Sequence, residues 1–446
     1  MATTEGTTPP WYRRGFAERP VLTVAVVLSA VLVSALIAVP ALWWTGAVEP
    51  PAAVRGLMNA KPKQLNLVLV VPRLEDKGQY EEGVRMALDE VNAAGGIDEL
   101  PVELEIRFED TYSEDVRLER VVADTLALAD QVVSTKDLLA VLGHWSSTTA
   151  LPASSVYNRR QVLYLAAHAR ASSLTNRGFD YVFALLLNNA DNASMMAHYA
   201  VGKGMKRFVV LSDDTEYGFD TTNLFTGWAT ELGAEILYHG SVTSHRRSID
   251  RLILFFLNNN LFAKDDIDAF FITSSSILDT ARFIKRAREL GLTMPILGPG
   301  YIFSSRIEDY VDKEKMKDVA GVSLFDESSV SPKATDFVAE FKRIYGRPPD
   351  QMSAIGYDAV NLLAYSVRKA NSRDPTRLAD WLRIMRHEQV FVGVTGPLVF
   401  DVHGRVTDTD AFIVRHDGTE FRTVARYRKP LDWDPVSMSH RREYRP

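Results

Sequence analysis

Leu65–Val71, LNLVLVV, is followed nine residues on by Tyr80–Gly96, YEEGVRMALDEVNAAGG, and the two stretches together set the architecture. The first is a short, continuous apolar run of the kind found in strands buried on both faces. The second places Val84, Ala87, Leu88 and Val91 at helical spacing, and Gly95 and Gly96 stop the helix. Working outward, the alternation repeats. VELEIRFED (102–110) reads as a strand, residues 114–133 as a helix and DLLAVLG (137–143) as a strand. A helix follows over about 149–158, then the strand QVLYLAA (161–167).

Beyond these come the strand RFVVLSD (207–213), a helix across 220–232, and the strand AEILYHGSV (234–242). A helix near 248–258, the strand AFFIT (269–273), a helix over 278–290 and the strand PILG (295–298) continue the series. Strands alternating with helices of ten or more residues predict parallel sheets covered on both faces, so the class is α/β and doubly wound. Two such blocks follow one another, at about 65–187 and 188–322. Two further helices lie within 335–346 and 353–370, and the Gly turns and alternation of 396–427 predict hairpin strands.

The 446 residues exceed one ordinary module. A formal charge of −6 argues against a polyanion-binding surface, and the absence of cysteine excludes disulfides, thiolate metal sites and cysteine nucleophiles. Val21–Trp44 carries no charge and is long enough to cross a hydrocarbon core of roughly 30 Å. Arg13, Arg14 and Arg19 precede it, which predicts a cytoplasmic N-terminal tail (1–20), a single membrane anchor (21–44) and a body outside the cytoplasm. The competing reading, a cleaved signal peptide, expects a shorter apolar core and no closing Trp43-Trp44 pair, and sends the body to the same side. Residues 45–63 read as a linker and 429–446 as a polar tail.

GQYEEGVRMALDEVNAAGGI (78–97) resembles the opening helix of type I periplasmic solute-binding proteins, the leucine/isoleucine/valine-binding group. Gly83, Ala87, Asn92, Ala93, Gly95, Gly96 and Ile97 fit that group's pattern residue by residue. GHWSSTTALPASSVYNRRQVLYLAAHARASSLT (143–175), EYGFDTTNLFTGWATELGAEI (216–236), GYDAVNLLAYSVRKA (356–370) and GPLVFDVHGRV (396–406) resemble further segments of it in the same order. The resemblance covers about 64–428. It implies two doubly wound lobes joined by three crossovers, with ligand enclosed between them. Lobe one would comprise 64–187 and 323–392, and lobe two 188–322 and 393–428.

Gly143–Thr149, GHWSSTT, lies between a buried strand and a helix, where hydroxyls and free N–H groups suit a carboxylate. Ser146 and Ser147 are the candidates, the resemblance assigning Ser147 to an α-carboxylate; a plain N-cap is the other reading of such residues. His168, Ala169 and Arg170 match the loop that completes the carboxylate pocket, where the family places small or hydroxyl residues. Arg170 then pairs with an acidic ligand, with solvent, or with a carboxylate of lobe two. Tyr217 matches an aromatic that covers ligand, Asn189 falls at the first crossover, and Ser276 stands where the family contacts ligand.

One departure bears on the ligand's ammonium. The family's branched-chain binders carry an acid for the ligand ammonium where this chain has Gly300 and Tyr301, and Asp326 is a candidate substitute. A buried ammonium without a partner costs several kcal/mol, which favours a carboxylate that lacks the α-ammonium or carries a second acid. No nucleophile elbow, phosphate loop, dinucleotide fingerprint or zinc-protease motif occurs, so neither catalysis nor a cofactor or metal is expected, nor nucleic-acid binding. The expected function is a membrane-anchored, extracytoplasmic solute-binding protein for an amino acid or organic acid, serving ABC-type uptake through a membrane permease. The alternative is a tethered sensory or protein-interaction subunit on the same fold.

Overall fold

Strand β1, Leu65–Pro72, lies between β2, Val102–Glu109, and β3, Leu138–Gly143, and pairs with both in parallel. That central place explains its unbroken apolar sequence, because each of its faces meets a layer of helices. The computed structural model describes residues 62–73, 79–110, 117–242, 246–258, 262–299, 307–328 and 331–429. The anticipated anchor (21–44), its flanks, Tyr301 and the tail beyond 429 lie outside the described residues. Among the described residues no helix is long and apolar enough to cross a membrane.

Helix α1, Tyr80–Ala93, buries Tyr80, Val84, Ala87, Leu88 and Val91 on one stripe. Helix α2, Leu118–Val132, and helix α3, Ser147–Arg159, follow β2 and β3. Strands β4, Tyr164–Ala166, and β5, Val182–Ala184, complete a five-stranded sheet of order β2-β1-β3-β4-β5. As an edge strand β2 is largely half-exposed, despite its regular alternation.

A second βα series then begins. Helix α4, Asn189–Gly202, leads to β6, Arg207–Ser212, α5, Glu216–Glu231, and β7, Glu235–Ser241. It continues through α6, Arg246–Asn258, β8, Ala269–Thr273, α7, Ile277–Glu289, β9, Ile296–Leu297, and β10, Val319–Ser323. The chain returns to pack on α1 through α8, Pro332–Tyr345, and α9, Gln351–Ala370. Gly83 permits that approach: a Cβ there would lie 1.9 Å from the Ser353 carbonyl oxygen. Helix α10, Pro375–Ile384, begins at Asp374 as N-cap with Pro375 in the first turn, a start signal the periodicity reading passed over.

Strands β11, Phe391–Gly393, β12, Gly396–Phe400, and β13, Val406–Thr407, form a small antiparallel sheet. It attaches to the first sheet, since the Ala184 N–H donates to the Gly404 carbonyl at 2.8 Å. The chain passes to the second sheet only at Asp408, whose φ is +47, so the last crossing falls beyond the 392/393 boundary read from the sequence. Strands β14, Thr409–His416, and β15, Phe421–Lys429, then add antiparallel to the second sheet, of order β15-β14-β10-β9-β8-β6-β7.

The β11–β12 turn is held by Asp358 of α9, whose carboxylate accepts from the Val394 N–H, the Thr395 N–H and the Thr395 hydroxyl at 2.6–2.9 Å. Burial pushes this carboxyl up to about 6, against the pull of those donors and of Lys333. A carboxyl raised in the folded state contributes stability that is complete below its unfolded value near 3.8 and is lost as pH rises through about 6. The stability difference between wild type and Asp358→Asn is therefore expected to shrink by about 2 kcal/mol between pH 4 and pH 7. Urea unfolding at a series of pH values measures it. The Asn variant is weaker throughout, because an amide NH2 would face the Thr395 N–H.

Candidate functional site

In each large sheet the strand order turns back on itself, between β1 and β3 in the first and between β6 and β8 in the second. Helices on the two sides diverge there, which leaves a crevice at the carboxyl ends of the strands. The sequence-predicted residues Ser146, Ser147, His168, Ala169, Arg170, Tyr217 and Ser276 all follow the carboxyl ends of β3, β4, β6 or β8.

After β3 the chain turns sharply. Gly143 has φ +107 and His144 φ +40. Ser146 is the N-cap of α3, its hydroxyl accepting from the Thr149 N–H at 3.3 Å. The first N–H groups of a helix have no acceptor within it and carry the positive end of its dipole. Ser147 is buried, and its Oγ accepts from the Ala171 N–H at 3.1 Å, tying this turn to the loop after β4. A second tie runs from His168 Nδ1 to the Trp145 carbonyl at 2.7 Å. The His168 and Trp145 rings also stack, with centroids 3.9 Å apart and planes 6° apart.

In that loop Arg170 is 4 % exposed and Ala169 2 %. Burial, and then the adjacent Arg170 charge, push the His168 imidazole down to about 3, opposing its hydrogen bond to Trp145. His168 is thus neutral at pH 7 and donates its Nδ1 proton. Ser147 and His168 are each committed to a structural hydrogen bond, and they form no nucleophile–base pair.

From the second series, Tyr217 lies in the first turn of α5. Burial pushes its phenol well up and the nearby Asp213 adds to this, while Arg170 pulls it down, which places the guanidinium and the phenol in one electrostatic neighbourhood. Asn189 joins them: its N–H donates to the Arg170 carbonyl at 3.0 Å and its Nδ2 to Asp220 at 2.8 Å. The Tyr217 hydroxyl and Asn189 Oδ1 are buried with no hydrogen-bond partner among the described residues.

Ser276 caps α7, accepting from the Asp279 N–H, while its neighbour Ser275 donates twice to Asp213 at 2.6 Å. It is Ser275, not Ser276, that meets Asp213. Asp326 is separate. It accepts from Ser328 and lines a different groove of about 480 Å³ with Phe325, Gln351 and Arg422.

Three contributors escape a reading of local pattern. Trp145 was visible within its motif but not as a stacking partner. Glu109, 3 % exposed, accepts from the Trp145 N–H at 2.6 Å and from the Thr149 hydroxyl at 3.1 Å. Arg405, 2 % exposed, donates to the carbonyls of Ala171 at 2.8 Å and Leu186 at 3.0 Å and to the Thr175 hydroxyl at 3.2 Å. Their partners are remote in sequence, and no spacing signals them.

The arrangement assembles a helix N-terminus, two serines and a buried guanidinium, a set suited to an anion. Comparison with known proteins gives the setting. The Leu/Ile/Val-binding protein of Citrobacter freundii is 24% identical over 353 residues, covering 74% of this chain and 87% of that one. An ABC transporter substrate-binding protein from Desulfitobacterium hafniense, solved in complex with Leu, superposes with a TM-score of 0.67 at 24% identity, over 81% of this chain and 100% of its own. A solute-binding protein of an ABC transporter from Rhodopseudomonas palustris BisB5, solved with 3,4-dihydroxy benzoic acid, gives 0.68 at 18% identity, over 83% and 98%. The family profile described as periplasmic binding protein matches residues 77–420, most of the chain. With this match and the two doubly wound sheets, the chain belongs to the periplasmic binding protein family in its type I fold, a family of solute-binding proteins and not of enzymes.

Proposed function

We propose that this protein encloses a small carboxylate-bearing solute, an amino acid or an organic acid, between two lobes built on the two large sheets. It would deliver that solute to an ABC-type permease. The observation that carries the reading is Arg170, a buried guanidinium in the loop whose next residue, Ala171, is tied to Ser147, and whose charge acts on Tyr217. Leu and 3,4-dihydroxybenzoic acid, bound by the two structural relatives, share a carboxylate and little else, which supports the same chemical class. The lobes would hinge where the chain crosses, near 185–188, 323–325 and 407–409, and residues 21–44 would hold the body at the outer face of the cytoplasmic membrane.

The test is thermal unfolding against leucine and other amino acids, benzoates, dicarboxylates and their uncharged amides. A solute at 100 times its Kd adds about 2.7 kcal/mol to stability, so a carboxylate that binds gives a clear rise in Tm and its amide does not. Arg170→Ala is expected to weaken that binding by at least about 1.4 kcal/mol, a tenfold change. Unchanged affinity in this variant would remove the assigned site. Silence across the whole panel would favour the second reading, a tethered sensory or interaction subunit, which the uncharged stretch at 21–44 also fits.

A further inference from the structure

Below the anion-recognition turn lies a buried chain of titratable groups that no ligand contact requires. Glu109 Oε2 meets His144 Nδ1 at 2.6 Å, and His144 Nε2 meets the Tyr157 hydroxyl at 2.8 Å. With the imidazole neutral, its Nδ1–H donates to the carboxylate and its Nε2 accepts from Tyr157, so every proton has a place. Tyr164, whose ring stands edge-on to His144, donates to the Gly143 carbonyl at 2.8 Å. Burying a carboxylate is costly unless its acceptors are filled, and Glu109 fills them entirely from the 144–149 turn.

We propose that Glu109, braced by His144 and Tyr157, is the positioning residue of the site. It fixes Trp145 and Thr149, and through them the 168–171 loop, in the geometry that receives a solute carboxylate. The inference rests on the carboxylate-binding reading for its functional half alone. The path runs through stated contacts. Glu109 holds the Trp145 N–H; the carbonyl and ring of Trp145 hold His168; and α3, whose first turn Thr149 anchors to Glu109, carries the Ser147 hydroxyl that takes the Ala171 N–H. Arg170 lies between those last two attachments.

Glu109→Gln in the full-length protein tests this, since an amide of the same shape either turns its NH2 toward the Trp145 N–H or, facing His144 Nδ1, forces the other imidazole tautomer and reverses the bond to Tyr157. Amide hydrogen exchange without ligand is expected to speed up at least about tenfold in 144–149 and 168–171, with Leu67–Val71 in β1 unchanged. Leucine and 3,4-dihydroxybenzoate are the affinity probes, and whichever binds wild type should bind at least about tenfold more weakly to the variant. In a Ser147→Ala background the affinity effect should be smaller, because one of the loop's two ties is already released, whereas independent effects would add in full. If Glu109→Gln does not fold, Tyr157→Phe removes only the outermost bond and should give the same exchange pattern at smaller amplitude.

Uniformly faster exchange over the first sheet, or affinity losses that add to that of Ser147→Ala, would reduce Glu109 to a structural residue and overturn the proposal. If neither probe binds wild type, the carboxylate reading loses support, while the exchange pattern still decides whether Glu109 sets the turn.

Discussion

Arg405→Ala is expected to cost about 3–5 kcal/mol, the range for removing one member of a buried charged network. The side chain is 2 % exposed, and its guanidinium donates to Ala171 O, Leu186 O and Thr175 Oγ1. Truncation leaves two buried carbonyls and a hydroxyl without those donors, each costing about 1–3 kcal/mol, and opens a cavity. Burial pushes the guanidinium down to about 10, partly offset by Asp191 and Asp401, so it remains charged at neutral pH. Arg405→Lys should recover only a fraction, since one ammonium cannot span three acceptors set in different directions. Urea unfolding measures both variants, and a loss below about 1 kcal/mol for Arg405→Ala would show that water replaces the guanidinium.

Gly143→Ala should be comparably severe for a different reason. Its φ of +107 is one that side chains rarely adopt, and the added Cβ would lie 2.0 Å from the Val70 carbonyl oxygen. Backbone strain of about 1–3 kcal/mol and overpacking of about 1–3 kcal/mol act together here. Neither relaxes easily, because Gly143 is paired to Val70 on one side and Ala166 on the other. The control is Gly227→Ala, an exposed position inside α5 with nothing within 4 Å of the new Cβ. It should stabilise by about 0.5–1 kcal/mol, the helical preference for alanine. Equal unfolding midpoints for Gly143→Ala and wild type would contradict this account of the turn.

These two residues also show how far the sequence could be read. Patterns confined to one element were legible: the unbroken apolar run of β1, the stripe of α1 and the serine-rich start of α3 each imply their surroundings. Short strands that no long helix precedes, such as β5 and β10, fall outside the βα alternation that made equally short strands legible. The site divides in the same way. Ser147, Arg170 and Tyr217 stand at ends of elements where any doubly wound fold collects polar groups, and the family resemblance singled them out there. Glu109 reaches across to a turn thirty-five positions later, and Arg405 to carbonyls more than two hundred positions earlier. Such pairings belong to the folded chain, and an isolated carboxylate or guanidinium in a sequence looks like any solvated one. Asp326 shows how little proximity to a crossing says of a side chain, for its loop places it in a groove with Phe325, Gln351 and Arg422.

The order of strands in the second sheet bears on how the chain is made. Strand β10 ends at Ser323, yet the β14 partner that covers its outer edge does not begin until Thr409. A chain emerging from its N-terminus therefore presents five parallel strands of this sheet with one open, wholly buried-type edge while 85 intervening residues are still to come. Pairings so distant in sequence form late and slowly, and an unpaired apolar edge invites the wrong neighbour. A nascent or truncated chain lacking the final hairpin is in this sense the most vulnerable form of the protein.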